Sequence, residues 1–120
     1  MILELGQKVF ISHRRLFRAD APRYFAGVVD AYETGILRTS GFSWFTPDFG
    51  TLPVRKPDPR TKILSISSGN LIVYSLPIGV SIENLNFEYS NDRLCLVEPG
   101  VFKMDCNECD VFKSRFKEML

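Results

Sequence analysis

Cys106-Asn107-Glu108-Cys109 is the spacing in this chain that most directly matches a known chemistry. Two thiols three positions apart can share a metal ion or form a redox couple, and a helix beginning beside them would lower their pKa. A structural zinc needs four ligands, however, and the only other soft donors are Cys95 and His13, neither of them paired at ligand spacing. The expectation is therefore buried or incidental thiols, with no metal and no cofactor. Gly41-Phe42-Ser43-Trp44-Phe45 places a serine two residues after a glycine, but its last position is Phe where a nucleophile elbow needs glycine. His13 is the single histidine and adjoins Arg14 and Arg15. Like charges lower its pKa and no neighbouring acid orients it, so it is a poor general base. No glycine loop suited to cradling phosphate is present. These absences lead to the expectation that the chain is not an enzyme.

The residues left over are suited to binding. His13, Arg14, Arg15, Arg18 and Arg23 form one basic group along the sequence, and Arg55, Lys56, Arg60 and Lys62 form a second. Phe42, Trp44, Phe45 and Phe49 lie between them. Solvated surface charge is the default reading of such runs; because cations attract phosphates and aromatic rings stack bases, the interleaving also suits a nucleic-acid surface, and the same rings serve equally well as core or as subunit interface. Residues 1–62 carry 10 basic and 6 acidic side chains (+4), whereas residues 63–120 carry 5 and 8 (−3). Opposed fields on one chain suit head-to-tail self-association or a basic face for an anionic partner.

The elements that must position these groups are mostly strands. With 120 residues and a 45% apolar composition, there is room for one domain with one core. Ten Phe are more rings than a small core needs, so some are exposed or buried against another chain. Lys8-Val9-Phe10-Ile11 opens a short strand, and Arg23 to Tyr32 is a long β-branched and aromatic strand ending in the turn Thr34-Gly35. Ile36 to Phe45 returns, with Gly41 where a strand must bend or another backbone must come close. Residues 47–60 hold four of the seven prolines and read as an extended surface loop, not a strand. Lys62 to Ser67 and Leu71 to Leu76 are two further strands separated by Ser68-Gly69-Asn70. Beyond Pro77 a hairpin is expected over Glu88 to Val97, then a turn at Pro99-Gly100, then a short amphipathic helix from Asn107 or Asp110 to Leu120.

The first 77 residues thus have the layout of a small, strongly bent five-stranded barrel. Within it, Gly27-Val28-Val29-Asp30-Ala31-Tyr32-Glu33 resembles the first motif of the Sm-like (LSm) family, and Ser68-Gly69-Asn70-Leu71-Ile72 after Ile66 resembles the second. Gly27 would let the long strand kink, and Gly69 would supply a positive φ between two closely spaced strands. Tyr32 is expected inside the barrel mouth with its hydroxyl at the rim. The chain departs from the family pattern at Glu33, at the shortened turn Thr34-Gly35 and at Ser68. The resemblance spans about residues 8–77, and its motifs also suit SH3-like barrels.

The expectation is one all-β domain over residues 1–120, in which the resemblance accounts for a barrel at 8–77 and the sequence pattern adds a hairpin-and-helix extension at 78–120 that has no counterpart in the family. The resemblance also implies a homo-oligomeric ring of about five to seven subunits, in which the fourth strand of one barrel pairs with the fifth of its neighbour. Ile63, Leu64, Ile66, Leu71, Ile72, Val73 and Tyr74 would then form the interface. Single-stranded RNA is the implied partner, contacted through Thr34, Ser68, Gly69, Asn70, Arg55 and Lys56. The alternative is a structural or protein-binding module with no nucleic-acid role. Glu4 breaks the apolar start that a signal peptide needs, and Leu71-Ile72-Val73-Tyr74 falls far short of the roughly 20 residues of a membrane helix. With three cysteines, an odd number, reduced thiols and a cytoplasmic, non-membrane location are expected.

Overall fold

The structure is a computed structural model that describes residues 2–13, 22–48 and 51–106. It is all-β, built from two antiparallel sheets. The first comprises β1 (Lys8–His13), β2 (Arg23–Glu33), β3 (Ile36–Phe45), β4 (Val54–Arg55), β5 (Arg60–Ser65) and β6 (Leu71–Ser75). Its strands run in the order β4-β3-β2-β1-β6, with β5 also on β3. The second is a meander of β7 (Asn86–Ser90), β8 (Arg93–Glu98) and β9 (Phe102–Asp105).

Alternation along the strands gives the first sheet two buried faces. Val9, Ile11, Phe25, Val29 and Leu37 form one cluster, joined from the sheet's two ends by Leu64, Ile66, Leu71 and Val73 and from β2 by Tyr32. Residues of β5 and β6, at opposite ends of the sheet, reach the same cluster only because the sheet curls over this inner face. The outer face carries Phe10, Tyr24, Ala26 and Trp44, which meet Val80, Leu85, Phe87 and Leu96 of the second sheet and its approach. The Phe87 ring sits 4.9 Å from Tyr24, 5.5 Å from Trp44 and 6.0 Å from Phe10, so one aromatic group holds the two layers together. The Lys8 ammonium ties them further by donating to the carbonyls of Ile78 and Val80. Buried Glu98 accepts from the Ser81 amide at 2.9 Å and the Asn84 side chain at 3.3 Å, which fixes the connecting turn.

The bend has an identifiable cause. Gly27 and Gly41 are direct partners in the β2–β3 ladder, and neither has space for a side chain. A methyl group on Gly41 would collide with the Ala26 carbonyl oxygen, and one on Gly27 with the Ser40 carbonyl oxygen and, at 2.9 Å, with the Phe25 ring. Beyond them Asp30 is a bulge residue, since Val29 opposes Thr39 and Ala31 opposes Arg38. The extra residue shifts the alternation by one, so that Val29 and Tyr32, three positions apart, both face inward. Thr34 (φ 45°) and Gly35 (φ 80°) make the two-residue turn, and Gly69 has φ 78°, as its position between two close strands requires.

Three expectations are corrected. The sheet is curled but open: β5 pairs β3 and β6 pairs β1, with no ladder between β5 and β6, so there is no closed five-stranded barrel. The proline-rich segment contributes β4, whose Val54 and Arg55 pair with Phe45 and Trp44; Pro53 and Pro57 lie outside the two pairing residues and so do not interrupt the ladder. The expected hairpin gains a third strand because the Glu98-Pro99-Gly100 turn returns Phe102–Asp105 onto β8. The terminal helix expected from Asn107 or Asp110 lies outside the described residues.

Candidate functional site

The strand ends place the residues singled out from the sequence in two separate regions. Thr34 belongs to the β2–β3 turn. The loop carrying Ser68, Gly69 and Asn70 begins beside that turn, because the Ile66 amide donates to the Gly35 carbonyl at 2.9 Å and a side chain on Gly35 would meet the Ser67 hydroxyl at 2.7 Å. All four residues are exposed apart from their local turn contacts. Arg55 and Lys56 lie near the far end of β3, roughly 30 Å away along a straight strand of that length and nearer where the strand bends. Arg55 stacks on Phe42 with its guanidinium 4.7 Å from the ring centre and donates to the Glu83 carbonyl. Lys56 lies 5.7 Å over the Phe45 ring.

At the same end of the first sheet, the inner-face rows finish on basic residues. Along β1 the row is Val9, Ile11, His13; along β2, inward from the end, it is Arg23 then Phe25; along β5 it is Arg60, Lys62, Leu64. Ladder partners share a face. Ile11 pairs with Phe25 and Phe25 with Ser43, while Arg23 pairs with Phe45. His13, Arg23 and Phe45 therefore form the outermost row, and Ile11, Phe25 and Ser43 the row beneath. The curl brings β5 across this opening, so that the Lys62 ammonium sits 5.0 Å over the Phe25 ring.

The electrostatics of the opening are unbalanced. Burial first, then the adjacent ammonium of Lys62 and the guanidinium of Arg23, hold the His13 pKa below its ordinary value. Burial, then the charges of Arg23, Arg60 and Lys56, hold Lys62 below its ordinary value. Among the described residues no carboxylate pairs with His13, Arg23, Lys56, Arg60 or Lys62. In the second sheet, by contrast, Arg93 meets Asp105 at 3.3 Å and Lys103 meets Glu88 at 3.7 Å. Directly under the outermost row, the buried Ser43 hydroxyl has no hydrogen-bond partner, an uncommon state for a buried polar group.

The two basic groups that are distant in sequence thus contribute to one mouth: His13 and Arg23 from the first, Lys56, Arg60 and Lys62 from the second. The period-two rows Val9-Ile11-His13 and Lys62-Leu64 carry the signal that would have placed them together. Arg14, Arg15, Arg18 and Phe49 lie outside the described residues. Trp44 is buried in the outer-face cluster and Phe42 packs against it, so of the described aromatics between the basic groups only Phe45 presents an exposed ring.

The expected interface residues divide by face. Leu64, Ile66, Leu71 and Val73 pack against the inner cluster, and Tyr74 stacks 5.9 Å from Phe10 on the outer one. Ile63 and Ile72 point away and are 71% and 40% exposed. Cys106 packs against the outer-face core, where burial pushes its thiol up to about 12; Cys109 lies outside the described residues. Among the described residues no group of three or more His, Cys, Asp or Glu could hold a metal ion, and no helix is long and apolar enough to cross a membrane. No family model, curated protein or solved structure matches this chain.

Proposed function

We propose that the chain is a self-assembling module of Sm-like type, built on a curled, open sheet, that binds single-stranded RNA. The observation that carries the assembly is the pair of open sheet edges. Among the described residues β5 and β6 have ladder partners on one side only, and they are the two strands through which the Sm-like resemblance joins neighbouring subunits. Each edge has an exposed isoleucine, Ile63 on β5 and Ile72 on β6, and free edges with apolar side chains are sites of strand addition. Joining the β5 of one subunit to the β6 of the next is a head-to-tail contact, and such contacts form a ring where the rotation between subunits closes. The basic end of the curled sheet, whose cations have no carboxylate partner among the described residues, supports an anionic partner.

Light scattering of the purified chain tests the assembly. The expected mass is about five to seven times the 13.7 kDa of one chain. Ile63→Lys and Ile72→Lys should each give a folded monomer, because both side chains are exposed and add charge only to the pairing edge. A wild-type monomer throughout the micromolar range rejects the assembly.

A further inference from the structure

We infer that the basic mouth of the curled sheet is a binding site for the phosphodiester backbone of a single-stranded nucleic acid, in which His13, Arg23, Lys56, Arg60 and Lys62 take successive phosphates and Phe45 stacks a base. This takes from the proposed function only that the ligand is a nucleic acid, and it does not require the ring.

Three observations converge on this site. First, five cationic or protonatable groups from β1, β2, β5 and the segment after β4 meet at one opening with no carboxylate partner among the described residues, although the chain pairs its charges elsewhere. Holding like charges together costs folding free energy, and a polyanion offsets that cost when it binds. Five groups exceed the needs of one phosphate and suit a run of them. Second, the Ser43 hydroxyl is buried beneath this opening without a partner, and a phosphate oxygen is the acceptor it lacks. Third, the Phe45 ring is 38% exposed on the same face, flanked by Lys56 at 5.7 Å, which combines a stacking platform with a cation as single-strand binders do. The outermost row crosses three adjacent strands, about 10 Å in all, which leaves room for one strand of nucleic acid.

The test uses the full chain and a labelled oligouridine of about a dozen nucleotides, with anisotropy read between about 50 and 200 mM salt. Arg60→Ala with Lys62→Ala should flatten the log–log salt slope by about 1.4, or about 0.7 for each phosphate left without its cation. Arg23→Ala, a change at an exposed position that the fold tolerates, should flatten it by about 0.7. Lys103→Ala, in the second sheet, should leave it unchanged. No binding at low salt, an unchanged slope in both mouth variants, or equal displacement by polyglutamate of matched charge would overturn the inference. Light scattering on the same samples separates the two ideas. A monomer whose mouth variants flatten the slope keeps this site and loses the ring, whereas a ring whose slope ignores them keeps the assembly and loses this site.

Discussion

Gly27 faces Gly41 across the β2–β3 ladder, and a side chain on Gly41 would run into the Ala26 carbonyl and the Gly27 backbone, as one on Gly27 would run into the Ser40 carbonyl. The approach is between main chains, so no rotamer change relieves a substitution. Gly41→Ala should lower the unfolding free energy by about 3 kcal/mol or more, read by urea denaturation. A loss below about 1 kcal/mol would show that the sheet does not depend on this contact for its bend.

Thr34 holds φ 45° in the tight turn before Gly35, a conformation that crowds a β-branched residue. Asn tolerates it. Thr34→Asn should therefore raise stability by about 1 kcal/mol, seen as a higher midpoint at unchanged m-value. An unchanged or lower midpoint would mean that the threonine is accommodated without strain.

How much of this was legible in the sequence differs by element. Gly27, Gly41, Gly69 and the Thr34-Gly35 turn were readable because bends and positive φ leave few choices of residue. The apolar run Val9, Phe10 and Ile11 announced a strand buried on at least one face, but not that a second sheet covers the other, since Phe87 lies more than seventy residues away. The two-residue β4 was hidden by its prolines. The basic mouth was hidden by distance along the chain: His13 and Lys62 become neighbours only once the glycine pair has curled the sheet.

Ser43 gives a variant whose stability and binding should move in different directions. Replacing an unpartnered buried hydroxyl by a methyl is nearly neutral or stabilising, so Ser43→Ala should melt at the same temperature or higher. Its affinity for oligouridine should fall by about fivefold, corresponding to about 1 kcal/mol for one hydrogen bond, with the salt slope unchanged. Full affinity would exclude the hydroxyl from ligand binding.

His13 makes stability depend on pH. Its folded-state pKa lies below the ordinary 6.5, so between the two values the unfolded chain binds more protons and stability declines as pH falls. The side chains facing it are those of Lys62 and Arg23. Thermal melts should show a drop on acidification from just above 6.5 downward, smaller in His13→Gln. Equal drops in both proteins would place the sensitivity in another group.

Cys106, with its thiol pushed up to about 12, should be inert. In a Cys109→Ser background, a thiol reagent at about pH 8, near the ordinary thiol pKa, should label the native chain more slowly than the unfolded chain. Labelling of Cys106 at the unfolded rate would contradict its partial burial.

The insertion of Phe87 among Phe10, Tyr24 and Trp44 bears on autonomy. A chain cut after Pro77 would keep every strand of the curled sheet, yet it would expose one whole face of rings to water. The segment that most resembles a self-sufficient module is thus obliged to fold together with the residues that follow it, and any rearrangement of the meander is felt on the reverse side of the strands that build the basic mouth.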